Sequence, residues 1–368
     1  MDELSKETIF RYTLELARKG WGRTHPNPMV GAIILEGGEI TAQGYHRQAG
    51  DVHAEVDVLR NLGRSPRSDA SMFVSLEPCS TTGRTPPCVE AIIKSGLKNV
   101  FVGTTDPNPS HAGRGLDLLR TAGINVELSD IALQRESTRL NFIFNHNMKT
   151  QRPLLALKMA ETSNGMLAEV RGRPSRITED RARSDMMNWR RLFPAIAIGS
   201  GSVLADDPSL TARLPNETFC PVRLVLDSSL ITLGKSIPCR KLYTDEFSSR
   251  TKVLTTSKGL GNSPAIERAK ELGVSLIEVG GNENGQVEMF EVLKVLKDLN
   301  LNSLYCEGGA KVAQALLEKG LVDYLFRYQS PKLFSGPDAL PGPDLDSLTL
   351  RETITAKLGE DRLSHGFL

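Results

Sequence analysis

The apolar positions of the first 150 residues switch repeatedly between helical and strand spacing. Leu4, Phe10, Leu14 and Ala17 fall near a 3.6-residue period and Gly20 follows as a stop, which predicts a helix over 4–18. The unbroken run Met29-Val30-Gly31-Ala32-Ile33-Ile34-Leu35 predicts a buried strand, and Gly37-Gly38 predicts a hairpin to a partner over 40–45. A helix is expected over 53–62, with Val56 and Leu59 on one face and Gly63 at its end. Short β-type runs at 71–76, 99–103 and 124–128 alternate with expected helices over 89–94 and 116–121, and one helix is expected over 131–149. That alternation predicts a layered α/β sheet with helices on both faces.

Thr150-Gln151-Arg152-Pro153 reads as a boundary, giving expected domains of 1–150 and 151–368. A second series of strand-like runs follows at 154–159, 195–199, 222–226, 252–255, 274–279, 303–306 and 324–328, with helices expected over 178–191, 289–298 and 311–319. It predicts a second α/β domain. The stretch 337–346, with three prolines, reads as a surface loop. Two domains suit a chain of 368 residues, which is longer than a single core usually grows.

Composition narrows the partners. Forty-five basic against 44 acidic side chains leave a net charge of +1, which argues against a polyanion-binding surface and so against nucleic acid. Charged residues interrupt the amino-terminal stretch, unlike a signal peptide, and no apolar run approaches membrane-spanning length, so a soluble protein with no membrane partner is expected. The five cysteines do not form a disulfide-type framework, which fits a reducing cytoplasm.

Two of those cysteines carry chemistry. His53-Ala54-Glu55 is followed by Pro78-Cys79 and, eight intervening residues later, by Pro87-Cys88. The prolines suit first helical turns, so both cysteines are expected at helix amino termini, which favour thiolates. One imidazole and two thiolates make a three-ligand zinc site with an open fourth position, where water is activated at neutral pH. Glu55 is spaced to carry protons beside it. The pattern is that of nucleobase deaminases, H-x-E with P-C-x-x-C, except for the longer cysteine spacing. A purely structural zinc would need a fourth ligand, and no histidine or cysteine is spaced to provide one.

The surrounding segments extend the pattern. His25-Pro26-Asn27-Pro28-Met29-Val30-Gly31, His53-Ala54-Glu55-Val56, Leu76-Glu77-Pro78-Cys79-Ser80-Thr81-Thr82-Gly83-Arg84-Thr85-Pro86-Pro87-Cys88, Asp106-Pro107-Asn108-Pro109 and Ala112-Gly113-Arg114-Gly115 together resemble the bifunctional riboflavin-biosynthesis deaminase-reductase family. The resemblance implies a cytidine-deaminase-like three-layer amino-terminal domain acting on a diaminopyrimidinone ribosyl 5-phosphate. It assigns zinc to His53, Cys79 and Cys88, proton transfer to Glu55, and the substrate pocket to Asn27, His46, Arg84, Asp106 and Asn108. Thr81 departs from the family, which commonly has histidine there.

In the second half, the stretch from Gly199 to Arg213, containing Ala205-Asp206-Asp207-Pro208-Ser209-Leu210-Thr211, and the turn Cys306-Glu307-Gly308-Gly309-Ala310-Lys311 are similar to the same family's reductase. The resemblance implies a dihydrofolate-reductase-like domain that opens the ribose of the deaminated product with NADPH. Lys158, Arg190, Leu210, Arg213 and Glu307 would meet substrate. Ala160, Ser202, Asp206, Gly308, Gly309, Ala310 and Lys311 would meet the cofactor, and Arg176 would stand where the family has a cofactor-stacking tryptophan. A homo-oligomer is expected with the family. Asn164, Pro174 and Arg176 depart from its pattern, which keeps open a second reading in which residues 153–368 bind substrate or hold an oligomer together without turnover.

Overall fold

The computed structural model describes residues 5–81, 86–109 and 111–368, and the chain divides into two compact units at Arg152/Pro153. In the first, β1 (Gly31–Glu36) lies between β2 (Glu39–Tyr45) and β3 (Ser71–Val74), antiparallel to both. β4 (Asn99–Val102) and β5 (Asn125–Leu128) continue the sheet parallel to β3. Gly37 and Gly38, at φ of 60° and 80°, make the tight β1–β2 connection that only glycine accepts readily at both positions.

Successive strand side chains point to opposite faces, and here both faces are covered. On one, Ala32, Ile34, Met72 and Val74 pack with Val58 of α2 (Ala54–Leu62), Ile92 of α3 (Cys88–Ser95) and Leu119 of α4 (Arg114–Thr121). On the other, Ile33 and Phe73 pack with Ile9 and Phe10 of α1 (Lys6–Arg18) and Leu133 of α5 (Ile131–Leu140). Phe73 meets Phe10 edge-on at 5.3 Å and stacks on Phe101 at 4.6 Å. The unit is thus the three-layer arrangement expected.

The expected single helix over 131–149 is two, α5 and α6 (Phe142–Thr150), broken at Asn141. The cause is a side chain: buried Asn141 accepts from the Met29 amide through Oδ1 at 2.7 Å and donates to the Met29 carbonyl through Nδ2 at 2.8 Å. It pairs with Met29 as a neighbouring strand would. Asn141→Ala leaves two buried backbone groups unpartnered and should cost the first unit about 2–4 kcal/mol. Denaturant unfolding read on Trp21 fluorescence, with Trp189 replaced by Phe, measures it.

The second unit is built on a nine-stranded sheet. Its order is Ser275–Glu278, Thr251–Thr255, Val222–Leu226, Ala195–Gly199, Ser303–Cys306, Leu154–Thr162, Tyr324–Ser330, Asp361–Phe367 and Arg351–Leu358. The strands are parallel up to Tyr324–Ser330, and the last two join antiparallel. Ala195–Gly199 and Ser303–Cys306 are buried throughout, as central parallel strands must be.

The carboxyl-terminal hairpin was not expected from the sequence. Its edge strand Arg351–Leu358 alternates exposed and half-buried side chains, so no apolar run marks it. The expected loop over 337–346 also contains a short strand, Leu340–Pro341, paired with Met166–Ala168. No helix among the described residues is long and apolar enough to cross a membrane.

Candidate metal centre and reductase site

α2 carries the first ligand. His53 is its N-cap, with extended backbone (φ −73°, ψ 162°), and Glu55 lies in its first turn. The helix is held against β2 where Gly44 has no side chain: a Cβ there would stand 2.4 Å from the Val58 amide nitrogen. Cys88 opens α3, as expected. Cys79 does not open a helix; it lies in irregular chain beyond β3, where the Glu77 amide still pairs with the Thr104 carbonyl. Its sulfur nevertheless accepts the Cys88 amide at 3.3 Å, so one helix terminus serves both sulfurs.

His53 Nδ1 stands 3.5 Å from Cys79 Sγ and 3.3 Å from Cys88 Sγ, and the three donor atoms lie within 4.8 Å of one another. Tetrahedral zinc with ordinary Zn–N and Zn–S bonds has donor–donor edges of about 3.5 Å, so the donor set fits that ion. Among the described residues no fourth histidine, cysteine or carboxylate joins the cluster, which leaves a coordination position open. The spacing of the motifs did not reveal that Nδ1 is the nitrogen turned toward the sulfurs.

The electrostatics suit a cation. Hydrogen bonds from the Cys88 thiol, His53 and the Cys88 amide outweigh burial and hold Cys79 down to about 4. Cys88 shares its proton with Cys79 and is pushed up, by that hydrogen bond first and burial second. Burial, then the Cys79 charge, pushes Glu55 up to about 7. A dication among these ligands acts in the opposite sense on both acids.

Asn27 and His46 come together beside this cluster. His46 Nδ1 donates to the Val52 carbonyl at 3.0 Å, because a carbonyl only accepts, and Nε2 therefore accepts from Asn27 Nδ2 at 3.2 Å. Burial holds His46 below the ordinary histidine value, and its ring meets that of His53 edge-on at 5.4 Å. Asp106 receives the Asn108 amide at 2.8 Å, and burial first, then neighbouring charges including Cys79, raise it. Arg84 lies outside the described residues.

In the second unit, register brings the expected residues together. Cys306 pairs with Leu157, so Glu307, just past the carboxyl end of Ser303–Cys306, comes beside Lys158 in the middle of Leu154–Thr162. Lys158 Nζ is 3.5 Å from Glu307, and Arg190 holds both of its oxygens, Nε to Oε1 at 2.5 Å and Nη2 to Oε2 at 2.9 Å. Burial would raise Glu307, yet Arg190 and Lys158 outweigh it and hold the acid at about 2.

Arg190 Nη1 also donates to the Thr211 carbonyl at 2.9 Å, and Thr211 Oγ1 accepts from exposed Arg213 at 3.3 Å. Leu210, between these contacts and the Asp206 helix, is buried with φ of 52°. Burial raises Asp206 and Lys158 opposes it. A Cβ on Gly309 would stand 2.8 Å from Ser202 Oγ, so the turn passes close to that side chain. The helix Ala310–Glu318 after Gly309 has no side-chain cap, so its first amides are available to phosphate, which fits a dinucleotide. Ala310 and Lys311 line an open cleft of about 440 Å³ with Asn282, Gln286 and Gln314.

Arg176 is exposed and pairs with Asp180 at 2.8 Å. Ala160 lies two residues along the strand from Lys158, on the same face, and is half-buried.

Residues 4–104 match the cytidine and deoxycytidylate deaminase zinc-binding region, and residues 153–363 match the RibD C-terminal domain. The riboflavin biosynthesis protein RibD of Actinobacillus pleuropneumoniae is 39% identical over 360 residues, covering 96% of this chain and 93% of that one. The chain belongs to the RibD family. Among solved structures, Acinetobacter baumannii RibD has a TM-score of 0.78 at 31% identity over 98% of both chains. A Thermotoga maritima diaminohydroxyphosphoribosylaminopyrimidine deaminase/5-amino-6-(5-phosphoribosylamino)uracil reductase has a TM-score of 0.77 at 30% identity, covering 98% of this chain and 97% of that one.

Membership in the RibD family makes the chain a riboflavin-biosynthesis enzyme, a zinc-dependent deaminase joined to an NADPH-using reductase. With both domains of the RibD family present, the bifunctional reading is favoured over one in which the second half is inert. Asn164, a departure from the family's pattern, has work of its own: Oδ1 accepts from Thr162 at 2.6 Å and Nδ2 donates to the Phe334 carbonyl at 2.7 Å. Spacing alone missed Thr211 and Glu77, whose roles lie in contacts to distant chain.

Proposed function

We propose that the first unit hydrolytically deaminates a diaminopyrimidinone bearing a ribosyl 5-phosphate, giving 5-amino-6-(5-phosphoribosylamino)uracil. The second unit then reduces the ribosyl group of that product to a ribityl chain. The observation that carries this reading is the tetrahedral spacing of His53 Nδ1, Cys79 Sγ and Cys88 Sγ next to the buried Glu55. Those atoms hold one zinc ion, which when bound supplies a water acidic enough to ionise near neutral pH. Glu55 would take one proton from that water and give it to the ring nitrogen, then carry the second, from the added hydroxyl, to the amine that leaves as ammonia. Asn27, oriented by His46, and the Asp106–Asn108 loop hold the pyrimidine, with Arg84 assigned by sequence match alone.

In the second unit NADPH supplies the reducing equivalent. Arg190 is already engaged by Glu307 and the Thr211 carbonyl, so it fixes the site, and exposed Arg213 is the arginine open to the substrate phosphate. Lys158, Glu307 and Leu210 line the ribosyl position. Ala160, Ser202, Asp206 and the turn Gly308-Gly309-Ala310-Lys311 hold the cofactor. Arg176 reaches its 2′-phosphate by giving up the exposed pair with Asp180, a small loss. The enzyme works in the cytoplasm on small molecules, which cysteines that are all free and a net charge of +1 support, and as a homo-oligomer.

The test follows ammonia release and NADPH absorbance separately. Ammonia should appear without NADPH, and NADPH oxidation should require either the first reaction or added deaminated compound. Chelating the metal should reduce ammonia release to background while reduction of the added deaminated compound continues. Ammonia release with no NADPH oxidation on either compound would sink the assignment of the second unit.

A further inference from the structure

Among the described residues, one carboxylate near the metal centre has no cationic partner. Glu77 is 5% exposed, two residues before Cys79. Its Oε2 accepts the amides of Asp106 and Gly113, both at 2.9 Å, and its Oε1 accepts the amide of Gly115 at 2.8 Å. Those amides come from the two ends of one loop, so a single side chain closes it. Gly113 and Gly115 lie at the amino terminus of α4, whose cap residue offers no side chain, so the acid also meets the positive end of that helix.

The packing leaves no slack. A Cβ on Gly115 would stand 2.3 Å from the Pro78 carbonyl and 3.1 Å from Glu77 Oε1, so the loop's far end is pressed against the Glu77-Pro78-Cys79 segment. The near end carries Asp106, whose carboxylate in turn holds the Asn108 amide. The order of contacts runs from the ligand segment through one acid to both proposed substrate residues.

We infer that Glu77 is the positioning residue for the deaminase substrate loop, fixing Asp106 and Asn108 relative to the metal-ligand segment. The inference rests on the assignment of Asp106 and Asn108 to the substrate pocket. It makes a specific demand on chemistry: the side chain must present two acceptor oxygens. Glutamine has the same shape but one acceptor, so in either orientation its NH2 faces a loop amide that it cannot satisfy.

Glu77→Gln should therefore keep one zinc per chain and the reductase rate, while the deaminase KM rises tenfold or more and kcat changes far less. One hydrogen bond to a charged group is worth about that factor. Amide exchange of Asp106, Gly113 and Gly115 should speed up in the metal-free protein as well. Glu77→Asp, which keeps both oxygens, should recover part of the loss, and it carries the test should the glutamine variant not fold. Unchanged KM with unchanged amide exchange overturns the inference, as does loss of zinc in proportion to activity, which would place Glu77 behind Cys79 instead. Asp106→Ala is measured alongside: if its KM is unchanged, the substrate assignment fails, whereas a raised KM there with an unaltered Glu77→Gln sinks only the role of Glu77.

Discussion

Glu55→Gln should remove ammonia release by about a thousandfold or more while leaving zinc content and NADPH oxidation on the deaminated compound unchanged. The atoms grouped to hold the metal are His53 Nδ1, Cys79 Sγ and Cys88 Sγ, and Glu55 is not among them, so on the proposed assignment metal affinity should survive. The fold should survive too. The site already disfavours charge at this position, pushing the acid up to about 7 chiefly by burial, and a neutral amide of equal size suits it. What glutamine cannot do is accept a proton from water and pass it on. Zinc analysis, thermal unfolding and the two assays on one preparation separate these effects. If roughly a tenth of the ammonia release remained, proton transfer would belong to another group.

How much of this was readable beforehand depended on where each residue's partners lie. His53, Glu55, Cys79 and Cys88 stood out because three short motifs carry the whole constellation, and the structure brings the three ligands together as expected. The expectation that Cys79 heads a helix failed because proline in a first turn is also compatible with extended chain, and here the Thr104 carbonyl holds the Glu77 amide beyond β3. Asn141 looked like one more helical residue; its partner, Met29, is 112 positions away. Glu77 sits inside the Leu76 to Cys88 motif with no role legible there, since its partners are backbone amides 29 to 38 positions downstream, which side-chain patterns do not encode. The final hairpin escaped because an edge strand of mostly exposed side chains has no hydrophobic signature. The sheet centres, by contrast, were plain from their apolar runs.

The reductase unit offers the second large effect. Glu307→Gln should abolish NADPH oxidation and destabilise the second unit by about 3–5 kcal/mol, the cost of removing one partner from a buried ion pair. Arg190 and Lys158, both largely buried, would lose the carboxylate they share, and neither the charge of Asp206 near Lys158 nor the carbonyl of Thr211 replaces its contacts. The gap between the two proteins should depend on pH in a defined direction. Glu307 is held at about 2 in the fold against an ordinary value near 4.5, so between those limits the unfolded chain binds more protons than the folded one. Its contribution is therefore complete above about pH 4.5 and is lost as pH falls toward about 2, while glutamine has no such slope. Groups remote from Glu307 titrate alike in both proteins and cancel in the difference. Trp189, adjacent to Arg190 and one of two tryptophans, reports this unit once Trp21 is replaced by Phe. Denaturant unfolding on that background should show the full gap at neutral pH and a narrowing one in acid. A gap that stayed constant through that window would mean that the charge of Glu307 is not what holds Arg190 and Lys158 in place.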